Sequence, residues 1–269
     1  MSTRDRNLAI LVNGQKLAAT LIMPKTALPG VLCIHGWGGS QEQYLGRARE
    51  IAALGCVGLT FDLRGHASSD SDEDVVSRED NLRDVLAAYD ELISQPSVDG
   101  EAIAVVGSSY GGYLAAMLTT LRPVKWLALR VPAIYKDQGW ARPKSQLHND
   151  ADFHSYRRQA LCPDDNRALR ACAEFRGDVL IVESENDEII PHATITNFVD
   201  AAKHAHSLTY RVIQGADHGL TDEVAQRAYT AILVNWLTEM VFGAREGGTA
   251  AQGSARAGAV AEEEPERPG

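Results

Sequence analysis

The stretch Ala102-Ile103-Ala104-Val105-Val106-Gly107-Ser108-Ser109-Tyr110-Gly111-Gly112 decides how the rest of the chain is read. Its first half is a continuous apolar run, which suits a strand buried on both faces of a parallel sheet. Its second half is G-x-S-x-G, and residues 110–121 are small and apolar nearly all round, as in a buried helix. Strand, sharp turn and helix form the setting in which this pentapeptide lifts a serine hydroxyl above the C-terminal edge of a sheet. The turn is tight, so glycines must flank it. The helix N-terminus behind Ser109 offers backbone donors and a favourable field for developing negative charge. Ser108 stands one place early and reads as structural. The plain alternative is a Gly-rich strand–helix turn without chemistry.

Similar apolar runs occur at 31–34, 57–61, 126–131, 179–182 and 208–213. Helical spacing predicts helices over 44–54, 82–93, 193–202 and 224–242. Strands alternating with helices imply an α/β fold with a mostly parallel sheet flanked by helices. Residues 8–23 read as a hairpin about Asn13-Gly14, placing antiparallel strands at one edge of that sheet. Residues 132–174 lack a strand pattern and exceed an ordinary connection, so a short cap insertion is expected there. Residues 1–242 form the expected domain. Residues 243–269, Gly-, Ala- and Glu-rich, are expected to be a disordered tail.

Composition narrows the function. Of 269 residues, 36 are Asp or Glu and 26 Lys or Arg, a net charge of −10 that argues against nucleic acid as a partner. No run of 18 apolar residues and no leader pattern is present, so neither membrane insertion nor secretion is expected. Cys33, Cys56, Cys162 and Cys172 form no C-x-x-C pair and read as reduced thiols of a cytoplasmic protein. His204 and His206 lack a third ligand nearby, and no phosphate-binding glycine motif follows a strand, so no metal or cofactor is expected.

A serine hydroxyl needs a base, and the base needs an anion to hold its tautomer. His218 follows the last predicted strand, in a loop that opens on the same sheet edge as Ser109. Asp187 lies in Glu183-Ser184-Glu185-Asn186-Asp187-Glu188, after the strand before it, with Glu185 and Glu188 as alternatives. The chain order Ser109, Asp187, His218 suits a serine elbow on an α/β sheet. Two backbone donors are expected for an oxyanion: the N–H of Tyr110, and that of Trp37 in His35-Gly36-Trp37-Gly38-Gly39. His35 is expected to brace that loop. The acids of 70–80 read as a solvated loop and helix start, or more sharply as a rim repelling anionic substrates. Aromatic residues of 132–174 either line a pocket or pin the segment down. Arg142, Lys144, Arg157, Arg158 and Arg130 read as surface cations, or as receivers of a substrate carboxylate.

At His35–Gly39, at Phe61-Asp62-Leu63-Arg64-Gly65-His66, at the serine elbow, and around Asp187 and His218, the sequence resembles the α/β-hydrolase superfamily. The elbow is similar to that of the prolyl-oligopeptidase branch. The single domain is similar to serine esterases and dienelactone-hydrolase-like proteins, although Ser109 stands where the latter carry cysteine. Ala67 replaces a family glycine, and no propeller domain is expected. The resemblance implies a cofactor-independent hydrolase of small-molecule carboxylic esters, working through an acyl-enzyme. A peptidase, amidase, thioesterase or acyl-transferase with the same triad, and a non-catalytic binding protein on this fold, are the alternatives.

Overall fold

The computed structural model describes residues 3–12, 15–24, 27–67, 69 and 73–258, with side chains for 27–67, 69, 74–147 and 149–243. The chain opens with β1 (Thr3–Val12) and β2 (Gln15–Pro24), antiparallel with Val12 opposite Gln15. Asn13-Gly14 lies outside the described residues. The pair forms a two-stranded sheet of its own rather than an edge of the main sheet. The main sheet ends in a four-residue strand, which leaves few free backbone groups for a further ladder.

The apolar runs become β3 (Leu28–Ile34), β4 (Val57–Thr60), β5 (Val98–Ser108), β6 (Trp126–Arg130), β7 (Asp178–Ser184) and β8 (Ser207–Ile213). They form one parallel sheet in the order β4-β3-β5-β6-β7-β8. Continuous apolar runs arise because both faces are covered. Leu32, Ile34, Ile103, Val105, Leu127, Leu129, Val179 and Ile181 pack into one core, while their neighbours Val31, Cys33, Ala104, Val106, Ala128, Leu180 and Val182 pack into another.

The first core is closed by α2 (Arg78–Ser94), α3 (Tyr110–Leu118), α5 (Arg167–Glu174) and α6 (His192–Ala201). The second is closed by α1 (Glu42–Ala53) and α7 (Glu223–Gly258). α2 starts earlier than its apolar period because Ser77 and Asp80 form a reciprocal capping box. The acids Glu79 and Asp80 are therefore a helix start, with Asp80 also beside Arg64 and Arg83. α3 stops before residue 121, where the Thr119 and Thr120 hydroxyls bond back to the Ala116 and Met117 carbonyls.

Between β6 and β7 lie irregular chain, 3₁₀ turns at Lys144–Asn149 and Pro163–Asp165, the one-turn α4 (Phe153–Tyr156) and α5. Tyr135, Leu147, Phe153 and Tyr156 are buried in the first core, and α5 packs on α3 and α6. The aromatic side chains of this segment thus pin it to the sheet body. α7 continues past Phe242 to Gly258, across the start of the stretch expected to lack structure; 259–269 lie outside the described residues.

Sheet order fixes where chemistry can sit. β3 leads to β4 on one side, while β5 lies on its other side. The crevice beyond the C-terminal ends of β3 and β5 is the switch point at which open α/β sheets bind ligands. The His35–Gly39 loop and Ser109 both emerge there.

Candidate active site

Ser109 sits between β5 and α3 at φ 52°, ψ −116°. A non-glycine residue in this region costs about 1–3 kcal/mol, so the surroundings must hold it. They do so through its backbone: its N–H donates to the Arg130 carbonyl at 2.9 Å, and its carbonyl accepts from Tyr113 and Ala133. The glycines are needed for close approach. A Cβ on Gly107 would lie 2.4 Å from the Gly111 oxygen, and one on Gly111 would lie 2.2 Å from the Ile34 oxygen. The Ser109 side chain does not cap α3, which leaves its hydroxyl for other work.

Ser109 and His218 line one cleft of about 360 Å³ together with the 36–39 loop. His218 Nδ1 lies 2.7 Å from Asp187 Oδ2. Asp187 Oδ1 accepts the N–H groups of Ile189 and Ile190, both at 2.8 Å, so the carboxylate is aimed by its own loop. Glu185 accepts from the Gly215 amide and braces the loop below. Glu183 is held by His192 and Tyr210.

The 36–39 turn closes through Gly39 N–H to the Gly36 carbonyl, with Gly38 at φ +71°. Among the described residues, no acceptor is found for the Trp37 or Tyr110 amides. His35 is buried, with Nδ1 2.7 Å from the Gly36 carbonyl and Nε2 accepting the Leu63 amide at 3.0 Å. Nδ1 therefore carries the proton and donates, both nitrogens are occupied, and burial pulls the imidazole below its ordinary pKa. His35 is the loop brace expected from its position. Ala67 takes the left-handed conformation of the glycine it replaces, at φ 45°.

The sequence reading missed Arg130, which is buried rather than a surface cation. In register with Ser108 across β5 and β6, it donates to Ser108 Oγ, Ser184 Oγ and the His218 carbonyl at 3.3, 3.2 and 2.7 Å. Burial pulls it below the usual guanidinium range. Tyr44 donates to the same Ser108 hydroxyl at 2.7 Å, so Ser108 is a hydrogen-bond node behind the elbow. The available signal was an arginine closing an otherwise apolar strand level with the elbow. Lys144 and Arg157 are also buried, with Lys144 Nζ 3.7 Å from the Trp37 ring centre. Among the described residues, none of 132–174 lines the cleft. Among the described residues, no group of three His, Cys, Asp or Glu side chains is placed to hold a metal, and no helix is long and apolar enough to cross a membrane.

The parallel sheet with its two helical layers and the serine elbow at the switch point define the α/β-hydrolase fold, and its family match makes the chain a hydrolase. A sequence profile of the prolyl oligopeptidase family matches residues 51–243, and the chain belongs to that family. No curated protein sequence matches it significantly. Among solved structures it is similar to ferulic-acid-bound Est1E of Butyrivibrio proteoclasticus, with 17% identity, TM-score 0.62 and coverage of 89% of this chain and 96% of that one. It is also similar to a monoacylglycerol lipase of Paleococcus ferrophilus (17%, TM-score 0.60, 89% and 100%). A third is a dienelactone hydrolase of Anabaena variabilis (18%, TM-score 0.58, 88% and 98%). At these identities the likeness is one of fold.

Proposed function

We propose that the chain is a cytoplasmic serine esterase that cleaves small carboxylic esters through Ser109, His218 and Asp187. Residues 1–242 form its catalytic domain, and 132–174 are an insertion. Ser109 Oγ attacks the acyl carbon while His218 Nε2 takes its proton. Asp187 holds the proton on Nδ1 and stabilises the imidazolium. The amides of Trp37 and Tyr110 bind the oxyanion, each donor contributing about 3–4 kcal/mol to the lowered barrier. As the ester bond breaks, His218 protonates the leaving alcohol. Water, deprotonated by His218, then attacks the acyl-enzyme and frees Ser109.

The observation that carries this reading is the 2.7 Å contact from Asp187 to His218, whose imidazole lines the same cleft as the strained Ser109. Intact-mass labelling with a fluorophosphonate tests it. One adduct on the native protein, mapped to Ser109 and lost in Ser109→Ala and His218→Ala, is expected. A folded native protein that takes no adduct overturns it. Amide cleavage by the same groups is a second reading, favoured by the family match. Paired ester and anilide substrates of one acyl group separate the two.

A further inference from the structure

Among the described residues, the charged or titratable side chains lining the cleft are Arg47, Arg130 and His218, along with the phenols of Tyr44 and Tyr229, with no Asp or Glu. This stands against a chain with ten more acidic than basic residues. The two arginines differ in what they leave free. Arg130 is buried and already spent on three protein acceptors. Arg47, on α1, is half-buried. Its Nε donates to Thr230 Oγ1 at 3.1 Å and its Nη1 to the Gln43 carbonyl at 2.6 Å. Its guanidinium carbon lies 4.9 Å from the Tyr229 ring centre and 5.9 Å from that of Tyr44.

Two hydrogen bonds and two rings fix the plane of the group, while Nη2 has no acceptor and the side chain no ion pair among the described residues. Arg64, Arg122 and Arg167, by contrast, each pair with a carboxylate. A guanidinium held flat, with Nη2 unbonded and no Asp or Glu among the described residues lining the cleft, is pre-organised to receive an anion.

We propose that Arg47 is an anion subsite and that the ester substrate carries a second, free carboxylate bound there. This rests on the esterase reading for the reaction, though not for the binding. A single guanidinium with Nη2 free matches the one charge of a carboxylate and can donate to its oxygens. A phosphate, with its greater charge, would call on a second free cation, and Arg130 is occupied. Arg47 makes no contact with the reacting atoms in this scheme; it selects and orients.

The test measures binding to the Ser109→Ala protein, which cannot turn the ligand over. Monomethyl glutarate and its neutral counterpart dimethyl glutarate are titrated by calorimetry or ligand-observed NMR. The hemiester is expected to bind about tenfold or more tightly than the diester, the scale of a charge-assisted pair. Adding Arg47→Gln is expected to abolish that preference. Adding Arg49→Gln, an exposed arginine on the same helix, is expected to retain it. Equal affinities, no saturable hemiester binding, or a preference that survives Arg47→Gln overturns the subsite. Failure of the native protein to take a fluorophosphonate or hydrolyse either ester overturns the esterase reading instead, and the binding comparison still decides the subsite.

Discussion

Two buried arginines do the same physical work in this molecule with different consequences. Arg130 grips the His218 carbonyl and two serine hydroxyls, with its guanidinium carbon 5.6 Å from the Tyr229 ring centre. Arg78 grips the Lys136 and Gln138 carbonyls at 2.6 and 2.8 Å, against the rings of Tyr135 and Trp140. In each case a buried cation packed against an aromatic ring holds a loop carbonyl that no regular element holds. The loop held by Arg130 carries the candidate base. The loop held by Arg78 opens the long segment between β6 and β7. A buried guanidinium is thus a fixing device, and its role in chemistry depends on what the fixed loop carries.

The largest expected effect bounds the comparison. Ser109→Ala should lower kcat on an activated ester by about 10⁴-fold or more while leaving the thermal midpoint nearly unchanged. Wild-type rates from a folded variant would remove the chemistry from this edge of the sheet and dissolve the contrast.

The contrast itself is tested by Arg130→Met against Arg78→Met. Each strands buried acceptors, so each should lose about 2–4 kcal/mol in urea unfolding. Turnover should part them. Arg130→Met is expected to lower kcat by about 10–100-fold with little change in KM, because the imidazole loses its anchor. Arg78→Met should change kcat by less than about threefold. Equal kinetic losses would make both arginines merely structural.

A smaller effect concerns His35, the neutral brace of the oxyanion loop. Burial lowers its folded pKa below the ordinary 6.5. Below pH 6.5 the unfolded chain takes up a proton that the folded chain refuses, so the contribution is present above 6.5 and is lost as pH falls beneath it. The slope contributed by this single proton is at most about 1.4 kcal/mol per pH unit. Urea midpoints between pH 7.5 and 5 should therefore fall more steeply for the native protein than for His35→Gln. Parallel slopes would place the acid sensitivity elsewhere.

The smallest effect is at Ala67. Glycine removes the strain of φ 45° but loosens the unfolded chain, so Ala67→Gly should stabilise by about 0.5 kcal/mol. A clear loss in thermal midpoint would show that the methyl packs usefully.

Much of the fold was legible because burial on two faces writes itself as continuous apolar runs. Strands at 31–34, 103–106 and 179–182 were found on that ground, with ends extended by residues such as Asp178 and Ser184 that pairing recruits. The hairpin's pairing was readable from Asn13-Gly14, but its attachment was not, because a local turn carries no information about which distant edge accepts a strand. The fates of Arg130, Lys144 and Arg157 were likewise hidden. A cation is expected in water, and only a surrounding shell of carbonyls, hydroxyls or rings makes its burial tolerable.

By itself the sequence determined the parallel sheet, the strained serine turn and the types of residue available to a nucleophile, a base and an anion. These rest on local sterics and on short periodicities that a chain segment carries with it. The tertiary structure alone decided that Asp187, rather than Glu185, meets His218, that Arg130 stands behind that loop, and that Arg47 is among the residues lining the cleft. Those are meetings of residues from 31 to 183 positions apart, and no local rule constrains them until the sheet order brings their loops to one edge.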